Sequence, residues 1–183
     1  MANLILVRPE EIRGPVLIRQ GMSRFGPFGT AQWNGCIMSS WFGSKPLLPD
    51  YLKKQDLQYF PDAEVPDLPE DYLDSKGQTS KINVSCAVWG TEFQIKVWKL
   101  ISEIPAGKTI RYGELAIKTG NPHSSRAVGA ACGSNWHAFL IPCHRVVYAG
   151  NQPVQYRWGP EIKRQMLHFE RSLAHPENRL LWD

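Results

Sequence analysis

The run Leu140-Ile141-Pro142-Cys143-His144-Arg145-Val146-Val147 sets a thiol beside an imidazole, between two apolar stretches and directly after a proline that fixes the backbone. That pair could do nucleophilic chemistry. A free cysteine titrates at about 8.5, so little of it is thiolate at neutral pH, and a neighbouring imidazole acting as base or as cation raises that fraction. Read as strand, consecutive residues point to opposite faces, so His144 reaches Cys143 only through a turn or an intervening water. The same residues equally fit a buried, inert cysteine next to a hydrogen-bonded histidine. On this segment alone both readings stand.

The elements that must position the thiol lie upstream. Thr91-Glu92-Phe93-Gln94 has the Thr and Gln of a capping box and opens a helix with Phe93, Val97, Leu100 and Ile101 on one face, ended by Ile104-Pro105-Ala106-Gly107. A second helix starts near Tyr112 and stops at Gly120-Asn121-Pro122. Ser124 or Ser125 caps a third that runs through Arg126 to about Ser134, which completes a helix-turn-helix outline. Ala127, Gly129, Ala130, Ala131 and Gly133 leave that third helix almost bare, with Arg126 its one long cation. Small residues of this kind serve tight packing against a neighbouring element, or they let a helix enter a minor groove roughly 6 Å wide.

The first half predicts two or three short strands within 25–41, with turn signals at Gly26-Pro27 and Gly43-Ser44. Leu4-Ile5-Leu6-Val7 runs straight into Arg8, Glu10 and Glu11, which marks a first strand rather than a targeting segment. From 46 to 77 the chain turns to Pro, Asp, Glu and Tyr, a connecting segment with one short helix expected over 49–57. The lobe boundary falls near Val88, giving an α/β lobe over 1–88 and a mainly helical domain over 89–183. At 43% hydrophobic residues, and without an apolar run approaching the roughly 20 residues that span a bilayer, membrane insertion is excluded as an expectation. Cys36, Cys86, Cys132 and Cys143 are too scattered for a zinc site or a disulfide framework and fit free thiols in a reducing, cytoplasmic compartment. A net charge of +4 suits a polyanionic partner without identifying one.

Over 90–170 the chain resembles the O6-alkylguanine-DNA alkyltransferases, the methylated-DNA–protein-cysteine methyltransferases. The resemblance is carried by Gly90-Thr91-Glu92-Phe93-Gln94, Ile104-Pro105-Ala106-Gly107-Lys108-Thr109, Tyr112-Gly113-Glu114-Leu115-Ala116, Arg126-Ala127-Val128-Gly129, Asn135 and Ile141-Pro142-Cys143-His144-Arg145-Val146, in that order. Tyr156-Arg157-Trp158-Gly159 with Lys163 and Glu170 looks most like the C-terminal domain of the bacterial adaptive-response proteins. It implies a ribonuclease-H-like α/β lobe and a winged-helix-like helical lobe. It also implies irreversible transfer of the alkyl group of a flipped-out O6-alkylguanine, with O4-alkylthymine a second candidate, to Cys143 without cofactor or metal.

In that pattern His144 takes the thiol proton through a water, Glu170 orients the imidazole, and Tyr112 hydrogen-bonds N3 of the departing guanine. Arg126 fills the gap in the duplex, Asn135 ties the active-site turn to the helix-turn-helix, and Ala127, Gly129, Val146, Tyr156 and Arg157 complete the substrate and DNA contacts. The implied partner is double-stranded DNA met from the minor groove by a monomer, cytoplasmic or nucleoid-associated, with cooperative binding along DNA left open. Gln155 stands where relatives carry glycine, and bulky Arg157 and Trp158 predict a narrow pocket that favours methyl over benzyl adducts. Three other readings compete: a lesion binder that performs no transfer, a cysteine hydrolase needing an oxyanion hole, and a regulatory DNA-binding protein needing base-reading side chains on its third helix.

Overall fold

The computed structural model describes residues 3–60, 84–148 and 155–174. Most of the expected connecting segment, at 61–83, and most of the loop after the nucleophile, at 149–154, lie outside the described residues. The N-terminal part is built on a sheet of β1 (Asn3–Leu6), β2 (Val16–Ser23), β3 (Gly26–Trp33), β4 (Cys36–Phe42), β5 (Leu57–Phe60) and β6 (Ser85–Val88), in the order β1-β6-β4-β3-β2-β5. The C-terminal part is helical: α2 (Glu92–Ser102), α3 (Tyr112–Lys118), α4 (Ser125–Gly133) and α5 (Pro160–Ala174), with a small two-stranded pairing of β7 (Ile110–Arg111) and β8 (Val146–Val147).

β2, β3 and β4 form an antiparallel meander, and β3 joins β4 through Asn34-Gly35, both at positive φ (48° and 76°). A two-residue turn of that hand matches the twist of the strands it joins, and Asn and Gly tolerate it best. The helix expected over 49–57 is only α1 (Asp50–Lys53), whose buried Leu52 anchors it. Leu57 instead opens β5, because the free edge of β2 offers backbone partners: Val16 N–H donates to Asp56 O at 2.8 Å and β5 continues the parallel register.

α2 has the predicted capping box, Thr91 Oγ1 accepting from Gln94 N–H (3.2 Å) and Gln94 Oε1 accepting from Thr91 N–H (2.9 Å). Gly120, two residues past the end of α3, has a φ of 86° that suits the C-terminal turn. Ser124 stands at the N-terminus of α4, but its hydroxyl donates to Asn121 O at 2.6 Å and meets Thr119 Oγ1 at 3.3 Å, so it closes the turn between the helices rather than capping α4. α2 and α4 are locked by Trp98 Nε1–H, which donates to Ala131 O at 2.9 Å in the interior. One continuous core of Phe28, Ile37, Trp41, Val88, Val97, Ile101, Leu115, Val128, Ile141 and Met166 joins sheet and helices. No described helix is long and apolar enough to cross a membrane.

Candidate active site

The predicted strand at Leu140-Ile141 is irregular chain, and Cys143–Arg145 forms a single 3-10 turn leading into β8. With three residues per turn, successive side chains leave the axis about 120° apart, and here all three are buried: Cys143 and Arg145 retain 5% and 3% exposure, His144 none. Three neighbouring side chains buried on different sides of one turn must each find a partner in the interior.

His144 and Arg145 share theirs. Glu170 on α5, with no exposure, receives His144 Nε2 at Oε1 (2.8 Å), Arg145 Nη2 at Oε1 (2.7 Å), Arg145 Nε at both oxygens (3.0 and 3.1 Å), and Gly107 N–H at Oε2 (3.1 Å). Burial alone would push this carboxyl up, but His144 and Arg145 outweigh it and hold it down to about 2. The carboxylate therefore only accepts, so His144 carries its proton on Nε2 and leaves a lone pair on Nδ1. Nδ1 is buried and has no hydrogen-bond partner among the described residues. Burial lowers the imidazole's proton affinity, Glu170 raises it, and Arg145 and Lys163 lower it again; the net direction is down, toward a neutral ring. Phe139 stacks on that ring (centroids 5.8 Å, 8° between planes) and Tyr156 meets it edge-on at 6.3 Å.

Cys143 Sγ receives Asn135 Nδ2–H at 3.2 Å. Burial pushes the thiol up, while the Asn135 amide, Lys163 and Arg157 act to bring it down. Lys163 on α5 is buried at 1% exposure and donates to Val146 O (2.8 Å); burial lowers its proton affinity, with Cys143 and Cys132 opposing. The thiol opens on a cavity of about 510 Å³ bounded by Tyr112, Gly129, Cys132, Gly133, Gln155, Tyr156, Arg157 and Pro160. A second groove of about 880 Å³ runs along the outer face of the helix pair past Arg111, Glu114, Ile117, Arg126, Ala130 and Tyr148, and shares Tyr112, Gly129 and Gln155 with the first. Arg157 lies over the Trp136 ring (4.1 Å) and donates to Gly133 O, which fixes it as a cavity wall.

Cys143, Tyr112, Gly129, Tyr156 and Arg157 thus meet in one cavity; Asn135 reaches the thiol through Nδ2, the buried His144–Glu170 pair does not line the cavity, and Arg126 lies in the adjoining groove. Val146 and Ala127 line neither: Val146 is fully buried and Ala127 is exposed on α4. Trp158, buried against Tyr156 (5.0 Å), is not among the cavity-lining residues. Sequence reading missed Arg145, which resembles a surface cation until the turn is seen to bury it, and gave Lys163 no role.

Residues 92–172 match the family described as the DNA-binding domain of 6-O-methylguanine DNA methyltransferase. The methylated-DNA–protein-cysteine methyltransferases of Kluyveromyces lactis and Methanosarcina acetivorans are 42% and 45% identical over 98 and 96 residues. Those stretches cover 53% and 52% of this chain but only 52% and 62% of the relatives, so the match spans between half and two thirds of their length. The OGT protein of Mycobacterium tuberculosis, crystallised in complex with DNA, superposes with a TM-score of 0.71 at 30% identity, covering 87% of this chain and 95% of that one. With the fold shared almost end to end, and the family segment enclosing the thiol, its imidazole and its carboxylate, the chain belongs to the 6-O-methylguanine-DNA methyltransferase family.

Proposed function

We propose that this protein repairs DNA by moving the alkyl group of O6-alkylguanine to Cys143, once per molecule. The observation that carries this is the buried Glu170–His144 pair, its imidazole on the residue next to a thiol that faces a cavity of about 510 Å³. His144 Nδ1 takes the thiol proton through an intervening water while Glu170 holds the Nε2–H. The thiolate forms a bond to the alkyl carbon, the bond from that carbon to O6 breaks, and its electron pair leaves on the guanine. Tyr112, whose phenol burial keeps protonated, hydrogen-bonds N3 and stabilises the departing anion. The thioether ends the protein's activity. No cofactor enters this balance.

The lesion reaches the thiol by rotating out of the duplex, because stacking shields the alkyl carbon from in-line attack. Arg126 fills the vacated position, and the exposed Ala127, Ala130 and Gly133 let α4 lie in the minor groove. Arg157 narrows the cavity and favours methyl over benzyl adducts. The division at residue 88, a ribonuclease-H-like first lobe, a winged-helix-like second, O4-alkylthymine as a second substrate, monomeric action and a cytoplasmic or nucleoid location complete the reading.

Counting restored guanine against protein tests it. A duplex with one O6-methylguanine, in excess, is expected to lose one methyl per protein and then no more. Continued turnover contradicts self-inactivation, and tight binding without any loss supports a lesion binder.

A further inference from the structure

The segment before the nucleophile is fastened by the N-terminal sheet. β4 pairs with β6 at Ile37 and Cys86, and farther along Ser40 bridges His137 in parallel, so residues 136–138 continue the sheet beside β4. Ser40 N–H donates to Trp136 O (2.9 Å), Ala138 N–H to Ser40 O (3.0 Å), Ser40 Oγ to Ala138 O (2.9 Å) and Ser39 Oγ to Trp136 O (3.0 Å). His137 Nε2 lies 2.9 Å from Ala87 O of β6, and since a carbonyl only accepts, the ring donates.

The His137 backbone in turn grips Asn135. Its N–H donates to Asn135 Oδ1 (2.9 Å) and its carbonyl accepts from Asn135 Nδ2 (3.2 Å). Those two bonds decide which end of the amide faces the active site. Nδ2, the donor end, is thereby aimed at Ile141 O (2.9 Å) and Cys143 Sγ (3.2 Å), whereas the opposite orientation would press an oxygen on a forming thiolate.

We infer that His137 and Ser40 are positioning residues, through which the N-terminal sheet holds the Asn135 amide donor on the Cys143 sulfur. This deepens the alkyl-transfer reading, on which its importance for repair rests, and gives the first lobe a part in it. The groups facing the thiol from other elements are Lys163 of α5, Tyr112 of α3, Cys132 of α4, and Tyr156 and Arg157 ahead of α5. Among the described residues His137 hydrogen-bonds Asn135 and Ala87 and none of these groups, so its effect on the thiol runs through Asn135.

The test needs no DNA. Full-length protein is treated with iodoacetamide across a pH series, and the modification of Cys143 is followed by peptide mass spectrometry. His137→Leu is expected to raise the pH of half-maximal reaction by about one unit, a tenfold smaller thiolate fraction at neutral pH. His137→Gln, whose Nε2 can reach the Ala87 carbonyl, is expected to keep the parent midpoint. Ser40→Ala, which leaves both backbone bonds in place, is expected to move it in the same direction by less. Melting temperatures are recorded alongside; should His137→Leu not fold, Ser40→Ala carries the result. A midpoint unchanged in the folded variants, whatever their melting temperatures, overturns the inference. Failure of the parent chain to take methyl from O6-methylguanine DNA overturns the alkyl-transfer reading separately and leaves the iodoacetamide result standing.

Discussion

Burial holds His144 toward its neutral form against the pull of Glu170, and Arg145, which shares that carboxylate, acts in the same direction as burial, leaving Nδ1 as the basic atom. Glu170→Gln removes that anion and leaves Arg145 buried without its ion pair. It is expected to slow methyl transfer by about 100-fold or more and to cost about 3–5 kcal/mol in urea unfolding. His137 adds a pH dependence of its own. Burial lowers it from 6.5 to about 4, with the Ala87 carbonyl opposing. The unfolded chain therefore binds the proton that the folded chain refuses. Stability is complete above pH about 6.5 and falls by about 3 kcal/mol as pH drops toward 4, then falls further as Glu170 is protonated between about 4.3 and 2. Melting curves from pH 7 to 4 are expected to show this slope, and His137→Gln to flatten it; an equal slope in the variant would assign the loss elsewhere.

At the scale of elements, the three helices ahead of the thiol were legible because their signals are local: a Thr–Gln capping box before α2, a Gly-Asn-Pro stop after α3, a run of Ala and Gly in α4. The thiol's surroundings were not, because they depend on contacts from distant parts of the chain. Phe139 illustrates why: it sits at φ 64°, costly for a residue with a side chain, and it is held there with its ring on His144. Nothing in Ala138-Phe139-Leu140 announces a left-handed residue, and strand propensity is the natural expectation for that run. In the same way Leu57 looked helical until the open edge of β2 claimed it. For the helix pair itself, Arg126→Ala is expected to weaken binding to lesion duplex by roughly tenfold while leaving reaction with free O6-alkylguanine base unchanged, since Arg126 lines the outer groove and not the thiol cavity. Titrations on duplex beside single-turnover assays on the free base separate the two; equal losses in both would place Arg126 in the chemistry.

Across the whole molecule, the sheet and the helices meet at the nucleophile: β4 and β6 fasten residues 136–138, α5 brings Glu170 and Lys163, and α4 brings Gly129 and Cys132 to the same cavity. The β2–β3 turn reaches α5 as well, with Arg24 4.0 Å from the Phe169 ring centre and Phe25 edge-on to it at 5.6 Å, next to Glu170. A net charge of +4 predicts that affinity for DNA falls as salt rises, read as a negative slope of log affinity against log salt; a flat line would argue against phosphate contacts. The most direct test of the central claim is the intact mass of the protein after incubation with a duplex bearing one O6-methylguanine, with Cys143→Ala in parallel. Alkyl transfer predicts a gain of one methylene mass, in at most one equivalent, mapped to Cys143 and absent from the variant. An unchanged mass in protein that has bound the lesion would contradict it.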